Sequence, residues 1–566
     1  MLGRGYIIGE RGLARNTATL CFAFAIVFAF VVPILSPQGR WHTRTSRKSP
    51  TVMVLSPKVY TWLCGLFAAL GSVTFGYDLG IIASILPAED FIATTGNPDS
   101  TAQGLIVGCL LLGAFASNIY VGNLADMVGR RVAILAGCIV FLLGGGIQAG
   151  AQNIHYMYGG RFLAGMGIGM LAMLAPLYQA EIAHPSIRGR LTTLQQFMLG
   201  IGALIASFIG YGCYHGLSGQ AQWRVPLAIQ LLPALPLAFF ILLLPESPRY
   251  LAMKDRNEEA LRVLARLHAH GDIHDSFVVS EHREILAQVQ IERQETRDAW
   301  AQLFLVKSNF RRLLLGVAIQ FSIQLTGVSV IQYYAPLIFE SIGIDTSTTL
   351  GLQSGNSVIA LIGEACCIWF IDRLGRRGPF IWGNALSGLT FVIGTIIIAV
   401  YPASTNNHNA SRAFVAMTWL FNLVFSSCLG PLSWAIPVEM FNSATRARAT
   451  AITSSAAWIS NFMIAQVSPI AFDRVGWKYY IVFAICGFSN ALFFWAFLPE
   501  TKGIPLEELD TYFEGMPIFV PGSKVHVPED PNQREEELRQ GKVMVPERAE
   551  SDILDEKEKA TIEHVA

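Results

Sequence analysis

Two charged residues of opposite sign stand inside long apolar stretches of the chain. Asp78 lies in the middle of "GSVTFGYDLGIIASIL" (71–86), and Arg161 lies near the start of the apolar stretch 156–178. A carboxylate can bind and release a proton, and a guanidinium is its natural partner, because an unpaired charge is costly away from water. The sequence therefore predicts a buried ion pair, which is either static or one in which protonation of Asp78 releases Arg161.

Uncharged polar residues mark a second candidate site. Gln320, Gln324 and Gly327 are spaced to share one stripe of a single helix over 311–338. An adjacent stripe of that helix carries Ser322, Thr326, Ser329 and Tyr333. Amides can donate to and accept from hydroxyl groups, and aromatic rings can cover the apolar face of a sugar ring. The residues predicted to contact a polyhydroxylated ligand are Gln196, Gln320, Gln324, Tyr333, Trp434 and Asn461.

Three charged motifs occur twice, in the same order and at similar offsets. They are "LADMVGRR" (124–131) with "FIDRLGRR" (370–377), "AEIAHPSIRGR" (180–190) with "VEMFNSATRAR" (438–448), and "PESPRY" (245–250) with "PETKGI" (499–504). In the middle motif a glutamate and an arginine are seven residues apart in both copies, which predicts that each pair shares one face of a helix. A duplicated six-helix unit is typical of secondary transporters. The residues predicted to form ion pairs at these loops are Asp126, Arg130, Glu181, Arg188, Glu246, Arg249, Arg376, Glu439 and Arg446.

The composition predicts the elements that position these residues. The chain is 52% hydrophobic and 14% charged, against about 25% charged residues in a soluble domain. Twelve apolar stretches are long enough to span a bilayer: 60–86, 104–123, 132–151, 156–178, 192–214, 226–245, 311–338, 350–371, 379–400, 413–437, 449–472 and 478–498. Basic residues before the first span and after the second predict that both ends of this core are cytoplasmic. The predicted fold class is an all-α polytopic membrane protein with twelve transmembrane helices.

The charge distribution divides the chain into five predicted parts. These are an N-terminal extension (1–57), a six-helix bundle (58–245), a cytoplasmic linker with short helices (246–310), a second six-helix bundle (311–499) and a cytoplasmic tail (500–566). The extension has one hydrophobic segment, 17–35, interpreted as an extra helix or a dispensable segment, and the tail is predicted to be largely disordered. Nine cysteines without a CxxC pair predict neither a metal site nor a disulfide framework. No cofactor is expected, and 41 basic against 41 acidic residues give no sign of nucleic-acid binding.

The chain resembles the sugar porter family of the major facilitator superfamily over residues 58–510. The motifs that carry the resemblance are "GNLADMVGRR", "GGRFLAGMGIG", "PESPRY", "QLTGVSVIQYYAP", "DRLGRR", "GPLSWAIPVEMF" and "PETKG". The resemblance implies two pseudo-symmetric six-helix bundles with a sugar site between them, and a cytoplasmic gate formed by the charged residues of the repeated loops. The sugar contacts that it favours are Gln196, Gln324, Tyr333 and Trp434. In proton-coupled members, an Asp and an Arg occupy the positions of Asp78 and Arg161.

Four positions depart from the pattern of the family's hexose carriers. Ile323 stands before Gln324 where those carriers have two glutamines, and Ser329 stands where they have asparagine. Ala360 and Ala457 replace two further asparagines. Losing these amides weakens hexose binding. The sequence therefore favours a different or larger substrate, such as a disaccharide, pentose or polyol, or a compensating role for Gln320, Gln332 and Asn356.

The predicted function is alternating-access transport of a sugar together with a proton. Facilitated diffusion of a sugar, transport of a quinate-like acid and a non-transporting sugar sensor are the alternatives. An acid would need a cation in the cavity beyond Arg161, and the cavity-lining spans show none at mid-depth, so a neutral substrate is favoured. No nucleophile–base pair or phosphate loop indicates an enzyme. The expected partners are a sugar, a proton and the lipid bilayer, for a monomer in the plasma membrane.

Overall fold

The computed structural model describes residues 56–295, 299–340, 342–402, 407–441, 443–502, 512–513 and 515–521. The hydrophobic segment 17–35 and the predicted disordered tail beyond 521 lie outside the described residues. Within them the secondary structure is helical and contains no strand.

The first half of the molecule contains six membrane spans built from ten helices. Their bounds are α1 Pro57–Ala68, α2 Leu70–Ile85, α3 Glu89–Thr94, α4 Ser100–Asn118, α5 Val121–Val128, α6 Arg130–Ala149, α7 Ile154–Ile182, α8 Pro185–Gly216, α9 Ala221–Ile229 and α10 Ala234–Phe240. A 3₁₀ turn at Ile241–Leu243 ends this half. The sixth span is divided between α9 and α10 at Pro233, which lacks the backbone N–H that a helix interior requires.

Four linker helices follow, of which the first three form a group that packs against the first half and the fourth packs against the second half. They are α11 Pro248–Met253, α12 Asn257–His268, α13 Ser276–Glu295 and α14 Ala299–Leu305. The Thr61 hydroxyl of α1 donates to the carbonyl of Leu267 at 3.0 Å. The His268 ring nitrogen Nε2 lies 3.3 Å from the carbonyl of Ile182. These contacts attach the linker to one end of the first bundle.

The second half contains the remaining spans. Its helices are α15 Lys307–Gln324, α16 Val328–Glu340, α17 Thr346–Leu374, α18 Arg377–Val400, α19 His408–Val424, α20 Gly430–Met440, α21 Ser443–Val475 and α22 Tyr480–Phe497. A π-helical turn at Phe425–Leu429 joins α19 to α20, so the tenth span is one long element with a local irregularity.

Ten described helical runs are long and apolar enough to cross a membrane. One of them, Arg448–Phe497, contains most of α21 and all of α22, which a 3₁₀ turn at Gly476–Tyr479 separates. Helix α17 is 29 residues long, and it completes the set of twelve spans. The predicted all-α polytopic fold is confirmed.

Three local predictions are wrong because helices break where continuous ones were expected. Helix α15 ends at Gln324, and Gly327 has a φ of 92°, so the two polar stripes do not run along one helix. Glu181 lies in α7 and Arg188 in α8, since the residue before Pro185 is disfavoured in helical conformation. Glu439 and Arg446 are likewise divided between α20 and α21, because the backbone is extended at Phe441.

The two halves meet along three pairs of helices: α4 with α21, α8 with α17, and α2 with α16. Along the first pair, a Cβ added at Gly104 would lie 2.9 Å from the Gln466 carbonyl, and one at Gly108 would lie 2.8 Å from the Phe462 ring. Glycine therefore permits the close approach of α4 to α21.

Hydrogen bonds join α4 and α21 at both of their ends. The Asn118 amide donates to the Ala451 carbonyl and to the Ser455 hydroxyl, both at 2.9 Å. At the opposite end the Gln466 amide donates to the Thr101 carbonyl at 3.1 Å. The end that contains Asn118 also contains the repeated charged loops, and we call it the basic end.

Candidate functional site

Asp78 and Arg161 meet in the interior of the first half. Asp78 lies midway along α2, and Arg161 lies two turns into α7. Arg161 Nη1 is 3.0 and 3.1 Å from the two carboxylate oxygens, and both side chains have 0% exposure. Arg161 Nε also donates to the carbonyl of Ile106 at 3.1 Å. The structure thus brings together the two residues that the sequence predicts to pair.

This ion pair is closed to solvent, so each charge depends on the other. Arg161 Nη2 is buried and has no hydrogen-bond partner in the described part of the chain. Neutralising one member of a buried pair leaves the other charge uncompensated, which costs several kcal/mol, about 3–5 where one partner is removed. A proton arriving on Asp78 would therefore loosen α2 from α7.

The glutamines of the seventh span make contacts within the second half. Gln320 is buried, and its amide donates to the carbonyl of Ser433 in α20 at 3.0 Å. The Ser329 hydroxyl donates to Gln324 Oε1 at 2.6 Å, across the break between α15 and α16. Gly327 permits this break, because a side chain there would require a strained backbone and would meet the Phe391 ring. The break brings Gln324 and Ser329 together although they are on separate helices.

Tyr333 and Asn461 are also brought together. The Asn461 amide donates to the Tyr333 hydroxyl at 3.3 Å, which links α16 to α21. Asn461 Oδ1 is buried without a hydrogen-bond partner among the described residues, so it can accept a further bond. Trp434 is 40% exposed, whereas Tyr333 is 1% exposed. Of the two aromatic residues, Trp434 presents the larger accessible surface.

Gln196 contacts a residue that is absent from the sequence-based predictions. Its amide donates to Glu364 Oε1 at 3.2 Å, across the boundary between α8 and α17. Glu364 is 6% exposed. It is the single acidic residue in the apolar stretch 350–371. A single acidic residue in an apolar stretch is also the pattern that identifies Asp78. The sequence alone could therefore have indicated Glu364 as a candidate site residue.

A charged cluster closes the basic end of the first half. Arg130 donates to Glu181 from Nε at 2.8 Å and from Nη2 at 3.0 Å, and its Nη1 lies 3.0 Å from Asp126. Glu246 accepts the backbone N–H of Arg130 at 3.2 Å and the Nε–H of Arg131 at 3.3 Å. The cluster therefore connects the ends of three spans.

The second half repeats this cluster. Arg376 donates to Glu439 from Nε and Nη2, both at 3.1 Å. Glu500, which is absent from the predicted sites, accepts the backbone N–H of Arg376 at 2.9 Å and of Arg377 at 3.0 Å. An offset of 254 residues relates Glu500 to Glu246, so the sequence repeat contained the signal for this residue.

The remaining predicted gate residues are three arginines, Arg446, Arg249 and Arg188. Arg446 donates to the carbonyl of Phe441 at 3.1 Å from Nε and 3.0 Å from Nη2. Arg249 lies in α11, close enough to interact electrostatically with Asp126. The side chain of Arg188 lies outside the described part of the structure. The structure thus does not bring Glu181 to Arg188, or Glu439 to Arg446, on one helix.

The arrangement provides a titratable buried ion pair, polar side chains at the boundary between two helical bundles, and charged clusters at one end. Within the described residues, no group of three His, Cys, Asp or Glu side chains is placed to hold a metal ion.

Comparison with known proteins gives a consistent result. The family model described as "Sugar (and other) transporter" matches residues 64–513. The MFS-type transporter criB of Aspergillus cristatus is 33% identical over 452 residues, covering 80% of this chain and 93% of that protein. The high-affinity glucose transporter of Kluyveromyces lactis is 31% identical over 501 residues, covering 85% of this chain and 90% of that protein.

The fold is similar to that of solved structures. The proton:xylose symporter XylE of E. coli superposes with a TM-score of 0.68 at 24% identity, covering 80% of this chain and 99% of that chain. This similarity shows the twelve-helix, two-bundle major facilitator fold. The matched proteins are transporters and not enzymes. The chain therefore belongs to the sugar transporter family of the major facilitator superfamily.

Proposed function

We propose that this protein is a proton-coupled symporter of a neutral sugar. The observation that carries the proposal is the fully buried ion pair between Asp78 and Arg161. An ionisable pair within a transmembrane bundle is costly to maintain, and such residues are characteristic of proton relays. A pair that served only to hold α2 against α7 could be replaced by apolar residues at little cost.

In this mechanism, proton binding at Asp78 changes how α2 packs. Loss of the carboxylate charge removes the partner of Arg161, and the two helices become free to move relative to each other. Helix α2 also contacts the second half, where the Phe75 and Trp458 rings lie 5.4 Å apart. Protonation on one side of the boundary can therefore alter the polar residues of α16 and α21 on the other.

A neutral substrate fits the charges of the site. Arg161 is already paired with Asp78, and a second carboxylate, Glu364, lies at the boundary. An anionic substrate would be repelled by that carboxylate, which has no cationic partner among the described residues. The sugar contacts included in the proposal are Gln196, Gln320, Gln324, Tyr333, Trp434 and Asn461.

The proposal includes a direction in the membrane. The basic end faces the cytoplasm, because Arg130, Arg131, Arg376 and Arg377 are at that end and basic residues favour the cytoplasmic side. The two clusters there act as a gate, closing and opening with the movement of the halves. We place the protein in the plasma membrane as a monomer, with the five-part domain organisation described above.

Uptake of radiolabelled sugars in cells that lack their own sugar carriers tests the proposal. Wild type, Asp78→Asn and the exposed control Glu89→Gln are compared with and without a protonophore. We expect the protonophore to abolish accumulation by wild type and Glu89→Gln, and we expect Asp78→Asn to lose accumulation but retain counterflow. Uptake indifferent to the protonophore and to Asp78→Asn would overturn symport in favour of facilitated diffusion. The absence of uptake for every sugar would overturn sugar transport itself.

A further inference from the structure

One face of α17 carries four buried oxygen atoms without hydrogen-bond partners among the described residues, one of which is the Thr349 hydroxyl. The other three are Gln353 Oε1, Asn356 Oδ1 and Glu364 Oε2, which we call the acceptor row. The three residues of the row are 8%, 4% and 6% exposed. At 3.6 residues per turn, all four positions fall within one face of the helix. Buried polar atoms are satisfied in the great majority of cases, so four exceptions on one face require an explanation.

The acceptor row lies along the boundary between the two halves. Glu364 Oε1 accepts from Gln196 at 3.2 Å, and the hydroxyls of Ser207 and Ser357 are 2.7 Å apart on the same side of α17. On the other flank, the Asn422 amide of α19 donates to the Asn356 main-chain carbonyl at 3.1 Å. The row is therefore positioned between α8 and α19, where a substrate enclosed by the two halves would lie.

Glu364 is held closely against the first half. A Cβ added at Gly200 of α8 would lie 2.1 Å from Glu364 Oε2, so glycine makes room for this carboxyl group. No lysine or arginine of the described residues forms an ion pair with Glu364. A carboxyl group used only to join two helices would be replaceable by an amide without the cost of burying an acid.

Unpaired acceptors call for a ligand that supplies donors. Sugar hydroxyls are donors, and they bind to carboxyl and amide oxygens alike. Gln353 and Glu364 are 11 residues apart, which is about 16 Å along a helix and longer than one pyranose ring.

We propose that the acceptor row of α17 binds the hydroxyl groups of a disaccharide, with Glu364 and Gln196 contacting one ring and Gln353 the other. This inference rests on the proposed function and adds the substrate class. It also gives Glu364 the role of a specificity-determining contact.

Transport by the full chain in proteoliposomes tests the inference. Radiolabelled maltose, lactose and cellobiose are compared with glucose and xylose for wild type, Glu364→Gln, Gln353→Leu and the control Ser354→Ala. The Ser354 hydroxyl is already satisfied by the Leu350 carbonyl at 3.0 Å. We expect Gln353→Leu to raise KM for a disaccharide about tenfold, the value of one hydrogen bond, without changing KM for a monosaccharide. Glu364→Gln should raise KM for the disaccharide and for the monosaccharide. Ser354→Ala should leave both KM values unchanged.

Other outcomes separate the inference from the function on which it rests. Transport of monosaccharides but of no disaccharide would overturn the inference and leave sugar transport standing, whereas no transport of any sugar would overturn the proposed function. If the variants do not fold, thermal unfolding of purified wild type decides. A disaccharide should raise Tm more than glucose does at equal concentration, and equal shifts would overturn the inference.

Discussion

The two halves of the molecule are alike at the basic end and different in the middle of the membrane. At the basic end, Arg130 and Arg376 each bind a glutamate of a neighbouring span, and each has its backbone N–H capped by a second glutamate. In the membrane, the first half encloses the Asp78–Arg161 pair, whereas the second half presents the acceptor row with its unpaired oxygens.

This difference separates what the fold requires from what the function requires. The repeated clusters fix the ends of helices, which both bundles need, so duplication has left them similar. The membrane-embedded middle of each bundle binds a different ligand in the proposed mechanism. Binding a proton in the first half requires one titratable pair, whereas binding a sugar in the second half requires several hydrogen-bonding groups. We therefore expect substitutions at the basic end to have similar effects in both halves, and substitutions in the membrane to have unlike effects.

The largest expected effect is at the buried ion pair. Arg161→Leu should lower the free energy of unfolding by about 3–5 kcal/mol, because it leaves the Asp78 carboxylate buried without a cation. Adding Asp78→Asn to that variant should recover much of the loss. Thermal unfolding of purified protein in detergent measures both changes.

Glu364→Gln provides the contrast in the second half. Because Glu364 has no cationic partner among the described residues, this variant should have a Tm equal to or above that of wild type. A large loss of Tm for Glu364→Gln would contradict the distinction between the two carboxylates.

An intermediate effect is expected at two glycines of the basic end. Gly129 has a φ of 96° and Gly375 a φ of 77°, and an added Cβ would lie 2.7 and 2.6 Å from the carboxylates of Glu246 and Glu500. Gly129→Ala and Gly375→Ala should each destabilise the protein by about 1–3 kcal/mol, the cost of a residue held in a sparsely populated conformation. The measurement is thermal unfolding of each variant.

Gly378→Ala is the matched control, because Gly378 lies within α18 and its added Cβ meets nothing within 4 Å. It should leave Tm unchanged or raise it. Strongly unequal losses for the variants at Gly129 and Gly375 would show that the basic ends of the two halves are not equivalent.

The smallest effect concerns the part of the linker that packs on the first half. His184 stacks on Phe277 of α13 with ring centroids 4.7 Å apart, and burial lowers the pKa of His184 below its usual value of about 6.5. The folded state therefore favours the neutral ring. Its contribution to stability is complete above the unfolded-state pKa and is lost as pH falls through that value towards the folded-state pKa.

We expect acidification from about pH 7.5 to 5.5, across the histidine range, to lower Tm less in His184→Asn than in wild type. His274→Asn, at an exposed linker position, is the control and should behave like wild type. An identical acid response in wild type and His184→Asn would show that the linker contact does not sense pH in this way.

Sequence patterns predicted the fold and part of the candidate site, for physical reasons that differ between residues. Hydrophobic length identifies membrane spans, and a lone charge in an apolar stretch identifies a buried partner, so the Asp78–Arg161 contact was predictable. Glu364 gives the same signal. Its partner, Gln196, lies in the other half and is uncharged, so charge complementarity in the sequence could not identify it. The acceptor row was not predictable, because only three-dimensional contacts reveal which oxygens remain unpaired.

Helix breaks were the least predictable feature. Pro185 marks one break in the sequence, and it would have separated Glu181 from Arg188. The break at Phe441 has no such marker, because nothing in the residue type there excludes a helix. The positive φ of Gly327 depends on tight packing against Phe391, which sequence spacing does not contain.

The hydrogen bonds between α4 and α21 have a consequence for the balance between the two open states of the protein. One end of this helix pair is joined through Asn118 and the other through Gln466, and glycines allow close contact between them. If the halves rock about this contact, opening either end breaks one or two amide hydrogen bonds, each worth about 1 kcal/mol. The hydrogen bonds of this helix pair therefore resist opening at the two ends to a similar degree, so this pair alone gives neither open state a large advantage.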